Sequence, residues 1–431
     1  MTLGHGADTV RRLPEEKPLR IALIVERFGP GTGGVENVAW QVARELVRQG
    51  ETVSVIAREG EPGIEAGVGA SGSERDIPGL EVVRVAGGSR RHPLRALAFS
   101  RAADAAIRER RFDVVHGFSR TRHQDLYRAG GGSHDDYLRR SFSPLGRAYR
   151  RWLPRHRSLL ALERAVFADA SQRIQCASRL VADRLCQREG VAPERILLLP
   201  NAVDSARFDG RRHAEAGRAL RRALDAAAQS IWLFPGSGWH RKGLALCLAA
   251  MRRIDDAAVH LWVAGRDDPA RWRRRVAAAG LGERVRFLGP RDDLEVVYAA
   301  VDGLVLPTRY DAFANVTFEG AASGLPIVTS RSNGAAEWLS PEACLRIEAG
   351  DPEALVAALR ACGPEDVRRR MGEAARRDVL PHTWPAHVEA LRAEYRRIVA
   401  ARAAARGHEV DLGPGHTPDR PRGIERGARP R

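Results

Sequence analysis

Asp311 and Glu319 stand eight positions apart in RYDAFANVTFEG, just after an apolar run that ends at Pro307. Carboxylates at that spacing flank a loop and the opening of a helix near Asn315. They can reach different parts of one ligand while the positive helix end between them faces an anion. The plainer roles are an N-cap for Asp311 and a solvated helix face for Glu319. Upstream, WHRKG puts Arg241 and Lys242 after the apolar run that ends at Gly236. Two cations there can neutralise a departing diphosphate where charge develops, or form a solvated basic turn. Lysine usage bears on that choice: of 70 Lys and Arg residues only Lys17 and Lys242 are lysine. A compact ammonium kept where arginine is otherwise the rule points to a site that needs it. In FGPGTGG, Gly31, Gly33 and Gly34 separate an apolar run from a helical pattern. Backbone N–H groups there can approach a phosphate, or the glycines can serve a tight turn. His116, which ends FDVVH, reads as a satisfied strand-end histidine.

The elements that must position these groups follow from periodicity. IALIVE, a helix over Val35 to Gln49 with Val35, Val38, Val42 and Leu46 on one face, and TVSVIA form a βαβ unit. FDVVH, IQCAS and ILLLP continue the series, and IWLFPG, VHLWVAG, RVRFLG, GLVLP and PIVTS form a second one. The expected fold class is α/β: two Rossmann-like, doubly wound domains facing a cleft at the carboxyl ends of their strands. The boundaries predicted are a flexible start over 1–19, domains over 20–205 and 206–384, a helix over 385–405, and a disordered tail over 406–431.

Composition narrows the rest. The chain has 431 residues and a formal charge of +16, so the partner is expected to be anionic: nucleic acid, a membrane face or a phosphorylated substrate. The five cysteines are scattered without a CxxC pair, which favours free thiols over disulfides or a zinc site. No apolar run approaches the roughly 20 residues of a membrane span. The opening residues lack the apolar core of a signal peptide, so the expected location is the cytoplasm. Between Tyr137 and Phe167, Arg139, Arg140, Arg150, Arg151, Trp152 and Arg155 belong to a mixture of arginine and aromatics. It suits an anionic membrane surface, with RNA or plain solvent as alternatives.

Together, the glycine turn, the Arg-Lys-Gly turn and the acidic pair, in that order, resemble the retaining glycosyltransferases of family 4, which have the GT-B fold. The resemblance runs from about Arg20 to Trp384. FDVVHGFSRTRHQDLYRAGGGSHDDY and GSGWHRKG are similar to segments of the lipopolysaccharide-core glucosyltransferases within that family. The resemblance implies a nucleotide sugar as donor, UDP-glucose for those relatives, and a lipid-linked or core-oligosaccharide acceptor at the inner membrane face, with no metal or other cofactor and no nucleic acid as partner. By motif, Gly33 and Gly34 would approach the donor phosphates and Arg241 and Lys242 would clamp the diphosphate. Glu319 would hold the ribose and Asp311 the sugar. Backbone amides of Ala312, Phe313, Ala314, Asn315 and Val316 would meet the sugar and distal phosphate. Asp125 matches the acid beside the acceptor hydroxyl, a general base, and Arg195 would face the donor. Asp311 stands where the family usually has Glu, and Ser237 where many members have Arg. A phosphorylase is disfavoured, because pyridoxal needs a Schiff-base lysine. A nucleic-acid-binding protein would leave the acidic pair without a purpose.

Overall fold

The computed structural model describes residues 17–30, 33–59, 77–88 and 92–410, with side chains to 405. Gly31, nearly all of the expected flexible start and the tail beyond 410 lie outside the described residues. Short apolar runs, buried on both faces, build the strands. The first seven are β1 (Arg20–Ile24), β2 (Thr52–Arg58), β3 (Glu81–Val85), β4 (Val114–Gly117), β5 (Leu126–Arg128), β6 (Arg173–Cys176) and β7 (Ile196–Leu198). They form a parallel sheet in the order β3-β2-β1-β4-β5-β6-β7. The second sheet holds β8 (Ser230–Pro235), β9 (Val259–Ala264), β10 (Val285–Gly289), β11 (Gly303–Leu306), β12 (Ile327–Ser330) and β13 (Cys344–Ile347). Its order is β10-β9-β8-β11-β12-β13, again parallel. Both orders reverse in the middle, the signature of doubly wound sheets, and ligands bind beyond the carboxyl ends at that reversal. β3, β5 and β13 escape the sequence reading because they are short and carry Glu81, Arg128 or Arg346 within the run.

Among the helices, seven shape the cleft and its surroundings: α1 (Gly34–Arg48), α2 (His134–Ser141), α3 (Pro144–Trp152), α4 (Pro154–Ala168), α5 (Trp239–Lys242), α6 (Asn315–Ala322) and α7 (Trp384–Val410). In α1, Val38, Val42 and Leu46 are buried, as the periodicity requires. α7 runs further than the sequence suggests and returns to the first domain. Its Trp384, Val388, Leu391, Tyr395 and Ile398 join the core of that domain beside Val114, Phe118 and Leu126, each stabilising by about 2 kcal/mol. Polar contacts fix its register: Arg173 to Glu394 at 2.5 Å, Arg392 to Glu51 at 2.6 Å, and the Tyr395 hydroxyl to His116 at 2.7 Å. The chain therefore crosses between domains twice. The crossings lie side by side, with the Val203 N–H donating to the His382 carbonyl at 2.9 Å. No described helix is long and apolar enough to cross a membrane.

The carboxyl ends of the two sheets meet. Ser178, after β6, donates to the Ala312 carbonyl at 2.8 Å, and the Trp338 indole donates to the Ala177 carbonyl at 3.1 Å. The Glu337 carboxylate accepts from the amides of Arg179 and Leu180 at 2.7 and 2.8 Å, a negative charge placed at the positive end of the helix that starts there.

Candidate active site

β8 and β11 pair at the reversal of the second sheet, and both cationic and acidic motifs leave from their carboxyl ends. After β8 the chain turns through Gly236 and Gly238, at φ 95° and 82°, where glycine has no steric cost. Trp239 anchors the turn: its indole is fully buried and donates to the Gly236 carbonyl at 2.9 Å. The Asp267 carboxylate accepts from the amides of Gly238 and Trp239 at 2.6 and 3.2 Å. Ser237 accepts from the Arg266 amide at 3.0 Å. With the loop held so, α5 delivers Arg241 and Lys242 to the loop after β11.

There, one oxygen of Asp311 receives both cations, Arg241 Nη1 at 2.9 Å and Lys242 Nζ at 3.6 Å. Arg241 also donates to the Tyr310 carbonyl at 2.7 Å. Burial alone would raise the Asp311 carboxyl, but the charges of Lys242 and Arg241 override it and hold it below its ordinary value. Burial depresses Lys242, with the Asp311 charge acting against that. Two cations share one acid, so the cluster carries a net positive charge at the switch point of the sheet and attracts an anion.

The loop between Asp311 and α6 is pinned by Asn333, which is fully buried. Its Oδ1 accepts from the Ala314 amide at 3.3 Å, and its Nδ2 donates to Thr317 and Thr329 at 2.9 and 3.1 Å. Phe313 packs edge-on against Phe318, ring centres 4.8 Å apart. The Ala314 amide is thus already used within the protein. Those of Asn315 and Val316 open α6, where no preceding turn supplies acceptors. Glu319 lies in the second turn of α6. The Tyr298 hydroxyl donates to it at 2.8 Å, and burial raises its pKa against that bond.

Across the cleft, Gly34 opens α1, and a Cβ added there would stand 3.9 Å from Asn315 Nδ2. Gly33 is extended, at φ 169°. The Glu36 carboxylate, paired with Arg27, lies against it, so the end of α1 already holds an anion of its own.

Two expected residues lie elsewhere. Asp125 precedes β5, at the amino end of the parallel strands. Its Oδ2 accepts from the Val115 amide at 2.8 Å and its Oδ1 pairs with Arg402 of α7. It serves the packing of α7 and is remote from the cleft. Arg195 precedes β7 in the same way. It donates to the carbonyls of Val166, Phe167 and Gln172 at 3.1, 2.7 and 2.9 Å, closing the end of α4 rather than facing a donor. His116 is fully buried beneath Tyr395, whose hydroxyl meets its Nδ1, while its Nε2 has no hydrogen-bond partner among the described residues; the plain reading as a satisfied histidine holds for one ring nitrogen and not the other.

Of the arginines read as one surface, Arg140 is turned inward. It pairs with Asp136 at 3.2 Å and lies 5.4 Å over the Tyr310 ring, so it joins the two domains. Arg139 and Arg151 share Asp135, both at 2.5 Å. Arg150 covers the Phe142 ring at 3.6 Å, and Arg155 is exposed. Trp152 is 76% exposed, in line with Tyr149 at 66% and Leu145 at 86%.

Asn333, Asp267, Tyr298, Ser178 and Glu337 have no assigned role in the sequence reading. Each acts on a partner distant in sequence; Ser178, Asp267 and Asn333 closely follow the buried strands β6, β9 and β12, which is a local sign of the carboxyl edge, whereas Tyr298 and Glu337 have none.

Comparison with known proteins bears on the family and the fold. Residues 32–207 match the family described as Glycosyltransferase Family 4, and residues 229–362 match Glycosyl transferases group 1. A probable transglycosylase of Burkholderia thailandensis is 30% identical over 346 residues, spanning 80% of this chain and 85% of its own length. The lipopolysaccharide glucosyltransferase WaaG of Escherichia coli K12 is 26% identical over 248 residues, 55% of this chain and 64% of that protein. A crystal structure of WaaG, a glycosyltransferase involved in lipopolysaccharide biosynthesis, superposes with a TM-score of 0.71 at 22% identity, over 86% of this chain and 97% of its own. The Anabaena protein HepE, solved in complex with UDP-glucose, gives a TM-score of 0.64 at 17% identity over 90% of this chain and all of its own. With a cationic pair, an acidic pair and a helix end gathered between two doubly wound sheets, the chain belongs to glycosyltransferase family 4 and is a nucleotide-sugar glycosyltransferase of the GT-B fold.

Proposed function

We propose that this enzyme moves glucose from UDP-glucose, with retention of configuration, to a lipid-linked or core-oligosaccharide acceptor at the inner face of the cytoplasmic membrane. The observation that carries this reading is the meeting of Arg241, Lys242 and Asp311 at the carboxyl ends of β8 and β11. In it, the two cations and the start of α6 receive the diphosphate as the sugar–oxygen bond breaks. Glu319 binds the ribose and Asp311 the sugar. Because Asp125 is engaged with Arg402, the departing phosphate oxygen takes the acceptor proton on the same face of the sugar. Domain closure keeps water, a competing acceptor, out. The cations and the helix end do the work a metal ion does elsewhere, so EDTA leaves turnover unchanged.

UDP-glucose enters on the likeness to WaaG and to the Anabaena UDP-glucose complex. A panel of nucleotide sugars tests it by thermal stabilisation. A ligand at about 100 times its Kd raises stability by roughly 2.7 kcal/mol. UDP-glucose is expected to give the largest shift and Glu319→Ala to abolish it; an equal or larger shift with another nucleotide sugar replaces the donor.

The membrane part rests on α3, which has no buried residue. Leu145, Tyr149 and Trp152 stand on one side of it, with Arg147, Arg150 and Arg151 close by. Such a face lies in the interface plane of an anionic bilayer. Triple substitution of Leu145, Tyr149 and Trp152 by serine is expected to cut cosedimentation with phosphatidylglycerol vesicles at least tenfold without lowering the melting temperature. Unchanged cosedimentation removes α3 from the acceptor encounter.

A further inference from the structure

Arg128, the last residue of β5, is 3% exposed and has no carboxylate beside it among the described residues: its polar contact is with a neutral amide, Nη2 donating to Asn201 Oδ1 at 2.7 Å. Its Nε and Nη1 have no hydrogen-bond partner among the described residues, although the guanidinium lies 5.8 Å from the Phe118 ring centre. Gly130 makes room for it, since a Cβ there would collide with Nη1. Burial pulls its pKa down to about 10, with Tyr127 and Cys176 as the groups acting against that. A buried cation with no acid to balance it costs stability, and a role must offset that cost.

The contact continues toward the cleft. Asn201 Nδ2 donates to Asn315 Oδ1 at 2.7 Å. Arginine can only donate, which fixes the sense of every link. Asn201 must turn its oxygen to Arg128 and its NH2 to Asn315. Asn315 must then turn its oxygen to Asn201, leaving its own NH2 on the far side. That NH2 faces Gly34 across the cleft, 3.9 Å from where a Cβ on Gly34 would stand. Asn315 is also the first residue of α6.

We propose that Arg128 is a positioning residue for the donor diphosphate: through Asn201 it locks the Asn315 amide with its NH2 turned to the phosphates. The aligned amides carry the influence of a buried charge from the first domain to the phosphate helix of the second. The same links hold the domains together in the geometry that binds the anion. This rests on the donor reading above.

Binding of UDP, GDP and ADP, and of the matching nucleosides, measured by calorimetry on the full chain, separates the two. If the wild type binds none of the diphosphates, the donor reading falls and this inference with it. If one binds, Asn201→Asp is the decisive variant. Its carboxylate still pairs with Arg128 but cannot donate to Asn315, whose amide turns over and presents oxygen to the phosphates. The expected loss is about tenfold or more for the diphosphate and less than twofold for the nucleoside. Arg128→Met is expected to act in the same direction and more weakly. In an Asn315→Ala background, Asn201→Asp and Arg128→Met should cost nothing further, whereas a merely structural role would keep its cost there. Should Arg128→Met fail to fold, Asn201→Asp, which keeps the guanidinium paired, carries the test alone. Diphosphate affinity within twofold of wild type in Asn201→Asp overturns the proposal, as does an equal loss for diphosphate and nucleoside.

Discussion

Replacing Lys242 by methionine is expected to lower kcat/KM by about a thousandfold, the effect of removing one preorganised charge from where negative charge develops. Methionine fills the volume, so the loss reports the ammonium and not a cavity. Arginine is not expected to rescue it. Lys242 is buried, and a Cβ on Gly236 would stand only 3.1 Å from its Nζ, so a planar guanidinium has no room. The pH dependence gives a second check. Burial sets the Lys242 pKa below that of an ordinary lysine, and kcat/KM follows the free enzyme. Activity should therefore fall with rising pH earlier than an unperturbed lysine would dictate. The diphosphate in the bound state favours the charged form, so the corresponding limb of kcat should lie at higher pH. Steady-state kinetics on Lys242→Met settles the first point: retention of a tenth of wild-type activity removes Lys242 from catalysis.

Asp311→Asn should reduce both activity and stability. One carboxylate oxygen balances Arg241 and Lys242. Removing its charge leaves two cations facing each other in a half-buried loop, at a cost of about 3 kcal/mol. The sign with pH follows from the lowered carboxyl. Its contribution is fully present above the ordinary aspartate value and is lost as pH falls through the lower folded value. Melting curves of wild type and Asp311→Asn should thus lie far apart at neutral pH and converge in strong acid. Asp311→Glu keeps the charge and should recover the stability, while turnover depends on where the longer side chain places its oxygen against the sugar. A constant gap between wild type and Asp311→Asn from neutral pH into acid would show that packing, not charge, sets the loss.

What could be read from the sequence was local. The turn into α1, the turn into α5 and the loop into α6 each follow a buried parallel strand within a few residues. Direction along the strand then delivers Gly34, Lys242 and Asp311 to the carboxyl edge. The same rule shows why Asp125 and Arg195 were misplaced. Both immediately precede a strand, β5 and β7, and a residue there lies at the amino edge, about 10 Å or more from the cleft for a strand of three residues. For Arg195 that direction is legible in the sequence, since ILLLP reads as a strand; for Asp125 it is not, because β5 is three residues long and carries Arg128. The partners of Asp267, Tyr298 and Glu337 were invisible for another reason. Each holds its partner from 20 or more positions away, and no periodicity records which carboxylate or hydroxyl meets which loop. Arg140 shows the limit of composition, because a run of arginines does not say which one turns inward to a tyrosine of the other domain.

The return of α7 has a consequence for synthesis. The first domain is discontinuous in the chain, because residues beyond 384 cover a face of the sheet built by residues 20–198. As the polypeptide emerges, the second domain has all of its strands and helices available before the first has its last one. Val114, Phe118 and Leu126 wait uncovered until Trp384 and Val388 arrive. Domains otherwise tend to mature from the N-terminus onward; here the half translated first is the half completed last, and the nascent chain must guard an apolar face through more than half of its translation.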